Sequence, residues 1–103
     1  MDADDDSGDT SSSEPQTFSL TLVNRKGLHA RAAARFVTTV DAFRATVVVT
    51  KDGHTVDGRS IMGLLMLGAP CGSTIDVRAT GDEAAAVARA LTELVGDGFG
   101  ERD

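Results

Sequence analysis

Residues 17–57 read TFSLTLVNRKGLHARAAARFVTTVDAFRATVVVTKDGHTVD, and three changes of rhythm inside them set the fold class. Phe18, Leu20 and Leu22 alternate with Thr17, Ser19 and Thr21, the period of two expected of a strand with one buried face. Asn24-Arg25-Lys26-Gly27 breaks that pattern. Ala32, Ala33, Phe36, Val37 and Val40 then recur at three- and four-residue spacing, which predicts an amphipathic helix over about Ala30 to Val40. A β-branched run, Arg44 to Thr50, predicts a second strand. Asp52-Gly53 is a two-residue hairpin signal leading into a shorter strand, His54 to Asp57.

The chain beyond this stretch continues the alternation. Ser60 to Leu67 reads as a short helix with Ser60 as N-cap and Gly68 trailing it. Thr74 to Ala79 alternates again, with Ile75 and Val77 inward. Thr80-Gly81-Asp82-Glu83 matches a capping box, with Asp82 as an alternative cap. Val87, Leu91, Leu94 and Val95 form the apolar stripe of a last helix, which Gly96, Gly98 and Gly100 end. The order β-α-β-β-α-β-α predicts an α+β fold: a two-layer sandwich with helices on one sheet face and the other face towards solvent.

The chain has 103 residues and a net charge of −6, enough for one small domain. Six acids and no Lys or Arg fall in residues 1–16, whereas residues 17–103 carry ten acids and ten bases. The first segment has almost nothing to bury and is expected to be a disordered acidic tail; residues 17–103 are expected to be the folded domain. A neutral domain with an acidic tail and 4% aromatic residues argues against nucleic-acid binding. A single cysteine, Cys71, excludes a disulfide framework, and His29, His54 and Cys71 make a poor zinc set, so no metal and no cofactor are expected. No apolar run reaches the roughly 20 residues that span a bilayer, and the acidic N-terminus is unlike a signal peptide. The expectation is a cytoplasmic, soluble protein.

Two positions could carry chemistry. His29 follows a Gly-containing loop and directly precedes a predicted helix whose second residue is Arg31. Helix starts present free N–H groups and the positive end of the macrodipole. An imidazole there can hold a phosphoryl group on a ring nitrogen against the N–H groups of Ala30 and Arg31, with the Arg31 side chain adding charge-assisted bonds. Gly27 lets the chain turn and leaves room for a large partner. Taken alone, His-x-Arg is a weak signal, explained more simply as a surface cap beside an incidental arginine. The second position is the helix Ser60-Ile61-Met62-Gly63-Leu64-Leu65-Met66-Leu67. Ile61, Leu64 and Leu67 suit its inward face, which leaves Met62, Leu65 or Met66 exposed as a binding patch. A tightly packed core helix explains it as well, and Ser60 is most simply an N-cap. His54 reads as an exposed hairpin residue and Cys71 as a loop thiol.

Gly27-Leu28-His29-Ala30-Arg31, followed by Gly58-Arg59-Ser60-Ile61-Met62-Gly63-Leu64, resembles the HPr family, the histidine-containing phosphocarriers of the bacterial phosphoenolpyruvate-dependent phosphotransferase system. The resemblance covers about residues 17–95. It implies an open-faced β-sandwich: a four-stranded antiparallel sheet in the order 1-4-2-3, covered on one face by three helices. It implies a carrier rather than an enzyme. His29 would accept a phosphoryl group from phospho-enzyme I and pass it to a IIA-type protein, with Arg31 steadying the phosphate. Ser60 would be the regulatory phosphoserine of an HPr kinase/phosphorylase, and Ile61, Met62 and Leu65 the apolar partner surface. The carrier is expected to be a monomer that inserts in no membrane. The family often has Pro after the Arg; Ala32 stands here, and transfer is expected to survive because alanine removes no donor and no nucleophile. The Ser60 motif and the acidic tail point to a regulatory or nitrogen-related branch, beside sugar uptake. The competing readings are a non-catalytic ligand-sensing or protein-interaction module and, more weakly, an RNA-binding α+β domain.

Overall fold

The computed structural model describes residues 14–101. The expected tail, residues 1–16, lies for the most part outside the described residues, as do residues 102–103. The elements follow in the order β1 (Gln16–Thr21), α1 (Ala30–Asp41), β2 (Thr46–Lys51), β3 (His54–Asp57), α2 (Ile61–Met66), β4 (Thr74–Thr80) and α3 (Ala84–Gly96), ending in a 3₁₀ turn at Gly98–Gly100.

One sheet carries the strands in the order β1-β4-β2-β3, antiparallel throughout. β4, the last strand in the chain, sits between the first and second. Phe18 therefore faces Val77, which also pairs with Val49. The alternation noted in the sequence is what sets this register, because a slip of one residue would turn every apolar side chain to water. Leu20, Val47, Val49, Ile75, Val77 and Ala79 point to the covered face and are buried. Thr21 and Thr74 share a hydrogen bond on the other face, as do Ser19 and Asp76. Asp52 and Gly53 turn the hairpin with φ of 52° and 82°, the left-handed pair that a two-residue loop demands.

The helices supply the second layer. α1 buries Ala32, Ala33, Phe36 and Val40, and α3 buries Ala84, Val87, Leu91 and Val95. α2 packs against α1 and sinks only Leu64 fully. Ile61, read as inward, is 39% exposed, with Leu67 half-buried. A six-residue helix lying on the rim of a small core has room to bury one residue deeply, and Leu64 takes that place.

Two local expectations are corrected. No side chain caps α3. Glu83, read as part of a capping box, instead turns its carboxylate to accept from the Arg44 backbone N–H at 2.7 Å, tying the start of α3 to the chain entering β2. The glycine-rich C-terminus is also more than a stop signal. Phe99 lies fully buried within it, at φ 58°, between Gly98 and Gly100, which also have positive φ. These glycines let the chain reverse tightly enough to return an aromatic ring to the core.

Candidate functional site

His29 is the N-cap of α1. Its backbone is extended (φ −82°, ψ −178°), and its ring does the work usually given to a Ser or Asp side chain. Nδ1 accepts from the Arg31 backbone N–H at 3.3 Å, the long end of a hydrogen bond. Nε2 lies against a carboxylate oxygen of Glu101. A carboxylate accepts only, so the ring proton belongs on Nε2 and the lone pair on Nδ1. That lone pair points at the free N–H groups of a helix start, where negative charge is favoured.

The loop before the helix explains how the ring is held. Gly27 has φ 64°, and a Cβ there would stand 2.4 Å from the Ala69 carbonyl oxygen and 2.8 Å from Pro70 Cα. The space that glycine leaves is therefore taken by the chain's own Ala69-Pro70 segment, not by a partner. Leu28 N–H donates to the Ala69 oxygen at 2.9 Å and its side chain is buried, so the residue before His29 is clamped. α1 starts at Ala30 without the usual proline, and Ala32 is completely buried.

Asn24 completes the cradle. Its Nδ2 donates to the Gly27 carbonyl at 2.7 Å and to Glu101 Oε1 at 3.1 Å. Its Oδ1 is buried with no partner, because turning the amide over would set an oxygen against both of those acceptors. A cleft lined by Lys26, His29, Ala30, Arg31, Arg35, Gly100 and Glu101 opens beside the ring. Arg35 is committed elsewhere, donating to the Phe99 carbonyl at 2.8 Å. Arg31 is exposed, and its guanidinium makes no hydrogen bond among the described residues.

Burial raises the Glu101 carboxyl's pKa, but the hydrogen bonds from His29 and Asn24, with the charge of His29 when its ring is protonated and that of Lys26, outweigh it and hold the group below the ordinary glutamate value of 4.5. Nothing in the local sequence marks Glu101 or Asn24 as part of this site. The available signal was Phe99, an aromatic residue among glycines with no reason to be there unless it docks.

Ser60 caps α2, its Oγ accepting from Gly63 N–H at 2.9 Å. Met62 and Met66 are 68% and 80% exposed, and with Ile61 and the half-buried Leu65 they form an apolar patch. Arg59, next to Ser60, is turned away: it bonds Asp41 Oδ1 at 2.8 Å, the Val40 carbonyl in the last turn of α1 and the carbonyls of Phe43 and Ala45 between α1 and β2. His54 and Cys71 are exposed; His54 lines a cleft with Met66 and Leu67, and Cys71 lines another with Asn24 and Glu101.

A family model described as the PTS HPr component phosphorylation site matches residues 16–97. The chain belongs to the HPr family. Among HPr relatives, the phosphocarrier protein HPr of Neisseria meningitidis is 45% identical over 83 residues, covering 81% of this chain and 93% of that protein. The HPr of Pseudomonas aeruginosa is 37% identical, over 80% of this chain and 92% of its own. Among solved structures, an HPr from Thermoanaerobacter tengcongensis superposes with a TM-score of 0.81 at 36% identity, over 85% of this chain and 99% of that one. An HPr from Bacillus anthracis gives 0.75 at 34%, over 79% and 96%. The HPr fold, with its 1-4-2-3 sheet and helical layer, is thus the fold found here, and the phosphocarrier component of the phosphotransferase system is the family's role.

Proposed function

We propose that this protein accepts a phosphoryl group on Nδ1 of His29 from phospho-enzyme I and passes it to a IIA-type protein. The observation that carries this reading is the His29 ring as N-cap, with Nδ1 facing the Arg31 N–H. A phosphoryl group on Nδ1 would take over that weak hydrogen bond through its oxygens, and the Ala30 and Arg31 N–H groups would serve it as they serve anions at helix starts. The unengaged Arg31 guanidinium would close over it. The site is open, so two proteins can reach it in turn, and one arginine holds the phosphate without trapping it. In this role the protein is a carrier regenerated by its partners, not an enzyme, and it needs no cofactor.

Ser60 is proposed as a second, regulatory phosphorylation site for an HPr kinase/phosphorylase. Phosphate there would put about −2 of charge beside Ile61, Met62 and Leu65, the proposed partner surface. Because Arg59 is occupied at the end of α1, that charge would meet no neutralising neighbour from its own loop. We further place the carrier in the cytoplasm as a monomer, in a regulatory or nitrogen-related branch of the system or in sugar uptake. No helix among the described residues is long and apolar enough to cross a membrane. A dimer of the Thermoanaerobacter tengcongensis HPr is known at 39% identity, so sedimentation at working concentration is the check on the monomer. The deciding experiment is His29→Ala, incubated with enzyme I and phosphoenolpyruvate. The wild-type chain should gain one acid-labile phosphate by mass and the variant none; labelling of the variant at a comparable rate would refute the assignment.

A further inference from the structure

Glu101 lies beyond the residues 16–97 that the family model matches, yet it makes the most direct side-chain contact with the His29 ring. Three observations show that the contact is built. Phe99 is fully buried two residues earlier, anchoring the C-terminal turn. Arg35 of α1 holds that turn by its Phe99 carbonyl, and a Cβ at Gly100 would come within 3.0 Å of the same Arg35 nitrogen. Asn24, itself buried, fixes the second carboxylate oxygen. The Glu101 side chain is left 10% exposed against 26% for His29, so the carboxylate is the more enclosed partner of the pair, and both line the same cleft.

We infer that Glu101 is a positioning residue for phosphoryl transfer, keeping the proton on Nε2 of His29 through both halves of the cycle. The inference rests on the proposed phosphorylation of His29 and adds to it. In the first half, the Nδ1 lone pair attacks phosphorus, the Nδ1–P bond forms, and the bond from phosphorus to the donor breaks with its electron pair leaving on the donor. No proton has to leave the ring. The phosphorylated ring with Nε2–H is cationic, and the Glu101 carboxylate lies where that charge is densest. In the second half, the Nδ1–P bond breaks towards the acceptor and its electron pair returns to Nδ1. The group released is then neutral imidazole rather than an imidazolate, which would leave far more reluctantly. The charged side chains lining the cleft with the ring are Glu101, Lys26, Arg31 and Arg35; of these only Glu101 favours the protonated phospho-ring, adding to the phosphoryl group's own negative charge.

The test compares full-length wild type, Glu101→Gln and Glu101→Ala by ¹⁵N NMR of the His29 ring, before and after phosphorylation by enzyme I and phosphoenolpyruvate. In the free protein, the Nε2–H resonance should be protected from exchange in wild type and Glu101→Gln, whose amide oxygen still accepts, and lost in Glu101→Ala. In the phosphorylated protein, both variants should lose the ring proton at lower pH, the midpoint falling by roughly one pH unit for removal of an adjacent, partly exposed charge. The pH profile of transfer to a IIA protein should move with it. An unchanged midpoint in Glu101→Ala overturns the inference, as does an unchanged Nε2–H resonance. Unaltered Phe99 ring shifts in Glu101→Gln verify that the turn is still docked, separating the charge from a structural role. If wild type takes up no phosphate, the functional reading fails on its own, while the Nε2–H resonance still decides the Glu101 contact.

Discussion

His29 accepts a hydrogen bond on Nδ1 from the amide two residues on and gives its other ring nitrogen to Glu101, so one side chain serves as helix cap and as candidate nucleophile. The two roles are compatible because a phosphoryl oxygen can replace Nδ1 as the acceptor. At the same scale, Arg31 should act on the phosphorylated state alone. Arg31→Ala should leave thermal stability near wild type, since the guanidinium bonds nothing among the described residues. It should weaken transfer by about 2 kcal/mol, the worth of a charged hydrogen bond, or roughly 30-fold. Arg31→Lys should restore only part of it, a point charge lacking the planar fork. Stopped-flow transfer from phospho-enzyme I measures both. Ser60 presents the opposite case. Ser60→Ala removes an N-cap bond and should cost about 1 kcal/mol of stability, whereas Ser60→Asp should slow transfer by placing charge beside the apolar patch. Unaltered kinetics for Ser60→Asp would argue against regulation through this residue.

Among the elements, α1 matters most because its two ends are held by different parts of the chain. Its N-terminus is fixed by the Leu28–Ala69 hydrogen bond and the His29 ring. Its last turn contains no basic residue, and Arg59 reaches over from the loop before α2 to donate to the Val40 carbonyl in that turn and to those of Phe43 and Ala45 just beyond it. A cation at a helix C-terminus is favoured by the macrodipole, and the guanidinium also bridges α1 to the start of β2. Arg59→Ala should therefore destabilise the fold by about 1–3 kcal/mol, read by thermal or urea unfolding, while phosphorylation of His29 in the folded fraction proceeds at the wild-type rate. A selective loss of phosphorylation without loss of stability would show that Arg59 serves the site rather than the helix.

For the molecule as a whole, the decisive contact joins residues 29 and 101, the start of the first helix and the end of the described chain. Phe99 is what holds them together. Phe99→Ala removes a fully buried ring and should cost about 3–5 kcal/mol; a folded remnant should have lost the Glu101–His29 contact as well, visible as exchange of Nε2–H. The same contact carries a pH signature. Glu101 has a folded pKa below its unfolded value of 4.5, so its stabilising contribution is complete above 4.5 and disappears as pH falls through the lower folded value. The stability difference between wild type and Glu101→Gln should shrink as pH falls below 4.5 over that window. A difference that grows below pH 4.5 would contradict the assignment.

The strands, the three helices and the hairpin could be read from the chain itself, because periods of two and of three to four, with Asp52-Gly53 between them, are local properties that any folded arrangement must honour. So could the places of His29, Arg31 and Ser60 at helix starts, since their neighbours announce those starts. The strand order came from the resemblance to a known family, and the rest belonged to the fold. Glu83 gave up its capping role because Arg44, 39 positions away, offered an amide that needed an acceptor. Gly27 proved necessary for Ala69 and Pro70, which no local pattern places beside it. Glu101 and Asn24 meet His29 only after Phe99 enters the core and the chain reverses. Hydrophobic rhythm is written along a chain, but the partner of a polar group depends on which distant segments packing brings within hydrogen-bond reach, and only the tertiary structure decides that.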